Sequence, residues 1–212
     1  MLLIIVLDGE GDTMNQPISL SMGLGEAIRG RRSIGRVKQE PIAKEIIETL
    51  LEAAAWAPSH HATEPWRFYV MVGEGRRILA EAYADIAVEH SRGVVAEDEE
   101  AALRAKHGSK AFRAPVVIAA AVSPSNAPGV NRMEEFAAVH SAVQNMLLAA
   151  HAMGLGAIWR SGEPMYHPRM KQAFGLADAE EVVGLIYLGY PDIQQPHGKR
   201  EPVAAKTVWL QG

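Results

Sequence analysis

Two uninterrupted apolar runs, residues 116–122 and 182–188, constrain the fold of this chain more than any other feature of its sequence. Neither run alternates between apolar and polar residues, which is typical of a β-strand covered on both faces. A sheet built around such strands needs helices packed on its two sides. We therefore expect a mixed α+β domain or a three-layer α/β domain.

The longest helical pattern lies between these two runs. From residue 134 onward, Phe136, Val139, Val143 and Met146 recur at helical spacing, and the other side of the pattern is rich in alanine. A helix with so little polar surface is expected to be buried on nearly all sides. It is interpreted as a central helix or as part of a dimer core.

Shorter patterns fill the rest of the chain. Helical spacing predicts helices over residues 21–29, 46–54 and 74–87, and a helical or mobile surface segment, a candidate lid, over 97–110. Strands are predicted over residues 66–72 and 157–159, and the segment 203–210 also has strand character. Residues 1–21 look like an added tail, which leaves one domain over residues 22–212.

Composition and charge narrow the classes of function. With 212 residues, 48% of them hydrophobic, the chain can bury one substantial core. Its net charge of -4 does not favour nucleic acid or an anionic membrane, and the apolar residues 1–7 are too few to span a bilayer, which takes roughly 20 residues. The absence of cysteine excludes disulfides, thiolate nucleophiles and cysteine-bound metals. A cytoplasmic location is expected.

Two clusters of polar residues suggest a polyanionic ligand held from two sides. One is Arg31-Arg32-Ser33, and the other is Trp159-Arg160-Ser161. Arginine pairs bidentately with phosphate, and serine both donates and accepts hydrogen bonds. Arginine pairs are also common on solvated helix faces, and tryptophans are common in cores, so these alternatives stay open.

Other catalytic patterns are missing. The pair His60-His61 has no partner at helical metal-ligand spacing, so no metal site is predicted. No serine lies in a G-x-S-x-G motif, and no glycine cluster forms G-x-G-x-x-G. Chemistry carried by a bound cofactor needs no such residues.

Six short segments, taken in order, resemble the nitroreductase family of FMN-dependent oxidoreductases. They are Arg31-Arg32-Ser33, Ala57-Pro58-Ser59-His60, Pro65-Trp66-Arg67-Phe68, Phe112-Arg113-Ala114-Pro115, Gly154-Leu155-Gly156 and Ile158-Trp159-Arg160-Ser161-Gly162. The chain is most similar to small NAD(P)H-dependent members that carry Trp-Arg-Ser-Gly. The resemblance extends from residue 22 to residue 210. It implies a three-layer α/β/α sandwich with a mostly antiparallel central sheet, whose C-terminal extension is exchanged in an intimate homodimer.

The resemblance also implies one FMN in each of two clefts at the dimer interface. Arg31, Arg32 and Ser33 would hold its phosphate, its ribityl chain and the pyrimidine edge of its ring. Arg200 lies where many members of the family place a phosphate-binding arginine.

Further contacts to the flavin are implied from two other segments. Trp159, Arg160 and Ser161 would line the cofactor from the strand that follows the long helix. His60 and the backbone near Trp56 would reach it from the other subunit.

The activity implied by the resemblance is ping-pong hydride transfer. NADH or NADPH would reduce the flavin at N5, and a nitroaromatic, a quinone or free flavin would then take the electrons. Two other functions stay open: a specialised branch with reductive dehalogenation or flavin breakdown, and a non-catalytic FMN-binding or flavin-delivery protein. Ala62 and Glu64 differ from the residues usual in the family, which are Asn or Ser and Gln respectively.

Overall fold

The computed structural model describes residue 20, residues 22–91 and residues 97–211. The tail predicted over residues 1–21 therefore lies, apart from Leu20, outside the described residues. Within the described part, seven α-helices alternate with four β-strands. The helices are α1 Leu24–Gly30, α2 Lys44–Ala55, α3 Arg77–His90, α4 Glu97–Gly108, α5 Arg132–Ala152, α6 Glu163–Tyr166 and α7 Pro168–Ala173. The strands are β1 Trp66–Val72, β2 Val116–Val122, β3 Gly156–Arg160 and β4 Glu181–Gly189.

The four strands form one sheet in the order β1-β2-β4-β3, and every pair is antiparallel. This confirms the expectation of a mostly antiparallel sheet. The two apolar runs are the central strands β2 and β4, as their lack of alternation predicts. β3 is the edge strand next to β4, and on its outer side Ser33 forms an isolated parallel bridge to Ala157.

The two faces of the sheet are covered by different helices, which gives three layers. In β2, Ile118 and Ala120 belong to a core cluster with residues of α2 and α5. Val117 and Ala119 belong to a second cluster with residues of α3 and α7. Successive side chains of a strand point to opposite faces, so one apolar strand contributes to both clusters.

Helix α5 is the long central helix that the sequence predicts, and it is capped at its start by Asn131, whose side chain accepts a hydrogen bond from the Met133 backbone N–H. Most of its circumference is buried. A stripe of exposed residues runs along the remaining face, formed by Met133, Ala137, His140 and Gln144.

Asp85 of α3 joins three helices. Its carboxylate accepts hydrogen bonds from Arg104 of α4 (2.5 Å) and from Arg169 of α7 (2.7 Å). Burial opposes ionisation of Asp85, but these two arginines outweigh it and lower its pKa. The segment predicted over 97–110 is thus a helix and a 3-10 turn, and Arg104 ties that helix to α3.

Two predicted elements differ from the structure. The helix predicted over 74–87 begins as a 3-10 turn, Gly73–Arg76, and becomes α-helical only at Arg77. The strand predicted over 203–210 is wrong: Val203–Lys206 form a 3-10 turn, and the residues after it pair with no described strand. A strand needs a neighbour to complete its hydrogen bonds, and in a single chain this segment is exposed, with Trp209 at 82%.

Candidate functional site

The loop after α1 folds Arg32 back onto the end of its own helix. The Arg32 Nη1 donates to the carbonyl oxygens of Arg29 (2.7 Å) and Arg31 (2.7 Å). Carbonyls at a helix C-terminus lack partners within the helix, so a guanidinium satisfies them well. The Arg32 Nε is buried and has no hydrogen-bond partner within the described part of the chain.

Four basic side chains gather around this loop. The pKa of Arg31 is lowered by burial, by Arg32 and by Arg200, so the three guanidinium groups repel one another. His151, at the end of α5, faces Gly30, and burial together with Arg31 and Arg32 lowers its pKa. Among the described residues, no carboxylate forms an ion pair with any of the three arginines. A cationic cluster without a counter-ion fits a small anionic ligand.

The C-terminal segment completes this cluster. The Gln195 side chain donates a hydrogen bond to the Gly30 carbonyl at the end of α1. Gly198 lies so close to the Arg32 guanidinium that any side chain there would overlap it. These contacts hold the segment against α1, and they bring Arg200 near Arg31 although 169 positions separate them in the sequence.

The second predicted cluster lies beside the first. The Ile34 backbone N–H donates to the Ala157 carbonyl (2.9 Å), next to the bridge between Ser33 and Ala157. β3 then continues through Trp159 and Arg160. The structure therefore places Arg31-Arg32-Ser33 and Trp159-Arg160-Ser161 along the same edge of the sheet, on either side of the bridge between Ser33 and Ala157.

Trp159 and Arg160 point to opposite faces of β3. The Trp159 Nε1 donates to the Val183 carbonyl (3.2 Å), and its indole lies against the His140 ring, 5.5 Å between ring centroids. The Arg160 guanidinium lies 5.5 Å from the Tyr187 ring centroid, and its buried Nε has no partner among the described residues. A Cβ at position 35 would lie 3.4 Å from Arg160 Nη2, so Gly35 packs directly beside this guanidinium.

His60 and Trp56 lie at the other end of α5. His60 Nε2 is 3.8 Å from Glu134 Oε2 in the first turn of this helix, whereas His151 is in its last turn. An α-helix rises about 1.5 Å per residue, so roughly 25 Å separates the two ends. Within one chain, His60 and Trp56 are therefore not brought to the arginine cluster.

The loop that carries His60 is strained and firmly anchored. His61, Ala62 and Glu64 have φ values of 57°, 49° and 46°, in the left-handed region that non-glycine residues rarely adopt. Thr63 donates to the buried Glu135 (2.5 Å), whose other oxygen accepts the Ser125 backbone N–H (2.9 Å). Backbone strain that the surrounding structure maintains is common at functional sites.

Several side chains around the site were not singled out by the sequence. His151 is one, and its only local signal is a polar residue within the otherwise apolar segment 146–152 that ends α5. The others line a cleft of about 450 Å³ beside Arg160 and Ser161, on the α3 side of the sheet. They are Tyr83, Lys110, Arg113 and Tyr187.

Within the described residues, no group of three or more His, Asp or Glu side chains is arranged to hold a metal ion. None of the helices in this part of the chain has the length and apolarity needed to cross a membrane.

The fold is a three-layer α+β sandwich, and a cationic cluster that pairs with no described carboxylate lies at its edge strand. Such a protein is suited to a small anionic ligand. The model of the nitroreductase family matches residues 28–190, and the chain belongs to this family. This confirms the family and the fold class inferred from the sequence.

Relatives and solved structures agree with this assignment. The provisionally named NAD(P)H nitroreductase YfhC of Bacillus subtilis is 35% identical over 181 residues, which cover 85% of this chain and 90% of that protein. The provisionally named YdjA of Escherichia coli is 32% identical over 80% of this chain and 88% of its own length. A nitroreductase-like family protein from Bacillus cereus superposes with a TM-score of 0.77 at 29% identity, covering 92% of this chain and 99% of that one. A provisionally named nitroreductase from Desulfovibrio desulfuricans, solved with FMN, gives a TM-score of 0.65 at 30% identity over 93% and 98%.

Proposed function

We propose that this chain is the subunit of a homodimeric FMN-dependent NAD(P)H oxidoreductase. The observation that carries the proposal is the cluster of Arg31, Arg32 and Arg200, which lacks a counter-ion among the described residues and adjoins β3. Two relatives bear the name NAD(P)H nitroreductase, and one similar structure holds FMN, which supports the same cofactor here.

The residues of the cluster fit the phosphate of FMN. The buried Nε–H of Arg32 has no partner among the described residues, so it can donate a hydrogen bond to a ligand. Arg31, Arg32 and Arg200 repel one another, and a phosphate dianion between them would replace that repulsion by attraction. A hydrogen bond to a charged group contributes about 1.5–3 kcal/mol, so three or four of them suffice for micromolar affinity, about -8 kcal/mol.

The residues of β3 fit the flavin ring. Ser161 presents a hydroxyl and Arg160 a guanidinium whose buried Nε–H has no partner among the described residues, whereas the Trp159 indole packs against His140 on the opposite face of β3. A fixed cation beside the pyrimidine edge would stabilise negative charge that develops on the ring. When bound, FMN accepts a hydride at N5 from NAD(P)H and supplies electrons to a second substrate. The chain's own task is then to bind and orient, and it needs no acid, base or nucleophile.

The position of His60 supports a dimeric site. A two-fold axis that runs past the middle of the exposed face of α5 and sets the two copies of the helix antiparallel would bring the start of one α5 to the end of the other, because symmetric dimers pair the same surface with itself. His60 and Trp56 of the partner subunit would then face the arginine cluster. The exposed stripe on α5 and the exposed apolar tail residues Val208, Trp209 and Leu210 are surfaces that such a dimer would cover.

The second substrate is a nitroaromatic, a quinone or free flavin. The cleft that adjoins the end of β3 leaves space for a planar molecule beside the proposed ring position. The cytoplasmic location stays a prediction.

The test is the visible spectrum of the purified protein with and without its arginine pair. We expect a yellow protein that retains stoichiometric FMN, and loss of the flavin in the double variant Arg31→Ala, Arg32→Ala. Two lost charge-assisted bonds correspond to a weakening of about 10² to 10⁴-fold. The double variant Lys44→Ala, Arg77→Ala removes two exposed charges elsewhere and should keep its flavin. A wild-type protein that stays colourless after incubation with FMN refutes the proposal, as does full flavin retention in the first variant.

A further inference from the structure

The cleft of about 450 Å³ beside Arg160 combines a basic wall with an apolar one. The basic side chains that line it are those of Lys110, Arg113 and Arg160. Its apolar side chains are those of Ile158, Pro164, Met165 and Leu185. Tyr83 and Tyr187 also line the cleft, with their hydroxyl oxygens 3.2 Å apart.

The basic wall carries positive charge that no lining carboxylate balances. The Arg113 side chain makes no ion pair with another described residue. The pKa of Lys110 is lowered by burial, by Arg113 and by Lys106. Together with the unpartnered Nε of Arg160, these groups form a second cationic site, distinct from the cluster around Arg31.

The tyrosine pair adds a neutral hydrogen-bond donor. Burial raises the pKa of both phenols, and this effect outweighs the opposing influence of Arg160 and Arg113. Both hydroxyls therefore stay protonated near neutral pH. Because one O–H of the pair donates to the other oxygen, one hydrogen is left for a ligand.

We propose that this cleft binds the carboxylate of a small aromatic electron acceptor, so that the preferred acceptors are aromatic acids. Its volume suits a molecule of one or two rings rather than a dinucleotide. Ile158, Met165 and Leu185 contact the ring, whereas Lys110 and Arg113 receive the carboxylate. The inference rests on the proposed function, since Arg160 and Ser161 also face the proposed flavin and so place the acceptor next to it.

The experiment compares two probes that differ by one carboxylate. Binding of 4-nitrobenzoate and of nitrobenzene to the FMN-loaded dimer is measured from the change in flavin absorbance, without a reductant. We expect wild-type protein to bind 4-nitrobenzoate about tenfold more tightly than nitrobenzene, as one charge-assisted contact predicts. Lys110→Met and Arg113→Met should each remove most of this preference, while the affinity for nitrobenzene and the flavin content stay within about twofold.

Two controls separate a binding role from a folding role. Arg113→Lys keeps the charge and should keep most of the preference for 4-nitrobenzoate. Lys44→Met replaces the same residue type as Lys110→Met, but at an exposed position of α2, and should leave both affinities unchanged. Equal affinities of the two probes for the wild-type protein overturn the inference, even when FMN is bound as proposed. A protein without flavin overturns the proposed function instead.

The same variants test whether the cleft binds the 2′-phosphate of NADPH instead of a carboxylate. The 2′-phosphate of NADPH is also an anion, and NADP⁺ and NAD⁺ differ in that group alone. If Arg113→Met weakens NADP⁺ but leaves NAD⁺ and 4-nitrobenzoate unchanged, the cleft serves the nicotinamide cofactor, and the inference is wrong. Weakening of 4-nitrobenzoate with unchanged binding of both nucleotides supports it.

Discussion

Gly184 in the middle of β4 leaves the space that the Trp159 indole occupies. A Cβ added at this position would lie 2.8 Å from Trp159 Cδ1 and 3.1 Å from Cε2. Ordinary contact between such atoms begins near 3.4 Å, so the indole or the backbone of β4 must move. The ring has little freedom, because its Nε1 donates to the Val183 carbonyl and its other side lies against His140.

The change Gly184→Ala is therefore expected to destabilise the protein. Overpacking in a well-filled core costs about 1–3 kcal/mol, and loss of the hydrogen bond to Val183 adds about 1 kcal/mol. We expect a decrease of about 2–4 kcal/mol in the free energy of unfolding, measured by urea denaturation. Displacement of Trp159 should also change its fluorescence and weaken FMN binding.

Two further variants make this expectation specific. Gly75→Ala adds a methyl group where nothing lies within 4 Å, and it should leave the stability unchanged or slightly raised. Adding Trp159→Phe to Gly184→Ala removes the indole nitrogen and should restore part of the lost stability in a double-mutant cycle. If Gly184→Ala matches the wild type in stability and fluorescence, the packing of Trp159 does not depend on this glycine, and the reasoning is refuted.

Three other predictions concern pH and buried charge. Because the pKa of His151 is lowered in the folded state, the unfolded chain binds the proton more readily, and the stability of flavin-free protein falls as the pH decreases below about 6.5. His151→Gln should remove this decline, measured by urea denaturation at pH 5 and pH 7. An unchanged decline in the variant contradicts this prediction. The pKa of Asp85 is also lowered, so its ion pairs stabilise the fold above pH 3.8 and lose their effect as pH falls through the folded value. Asp85→Asn should cost about 1 kcal/mol at pH 7 and progressively less as the pH falls below 3.8 in urea denaturation, and a cost that does not change with pH would argue against the ion pairs. Glu135→Leu leaves the Ser125 N–H without its acceptor and removes the 2.5 Å hydrogen bond of the Thr63 hydroxyl, so it should lower stability by about 3 kcal/mol, against about 1 kcal/mol for Glu135→Gln. Equal losses in thermal denaturation would show that hydrogen bonding is not the cause.

The buried strands could be read from the sequence because their signal is local. Each residue of 116–122 is itself buried, and the predicted strand matches β2 at both ends. Residues 66–72 match β1 in the same way. The segment 203–210 has similar apolar residues but no neighbouring strand in the chain, and a partner for backbone hydrogen bonds is not a property of the segment itself.

The site could be predicted only in part. The family resemblance named Arg31 and Arg160, and the structure shows what links their segments: the pairing of Ser33 with Ala157 joins two parts of the chain that are far apart in the sequence. No sequence pattern predicts that the last turn of α5 places His151 next to Gly30. Such juxtapositions arise from helix length and layer packing, which no short segment of the sequence contains. The flavin-retention test measures the roles proposed for these residues.

The alanines at the centre of β2 limit which positions of this protein can change during evolution. Ala119 faces the layer of α3 and Ala120 faces the layer of α5, and both are fully buried. A bulkier residue at either position would push a whole helix outward, and with it Tyr83 on one side or His140 on the other. Mutations that adapt the protein to new acceptors are therefore expected to accumulate in the segments around the cleft, such as 109–113, while the thickness of the sandwich at its middle stays constant.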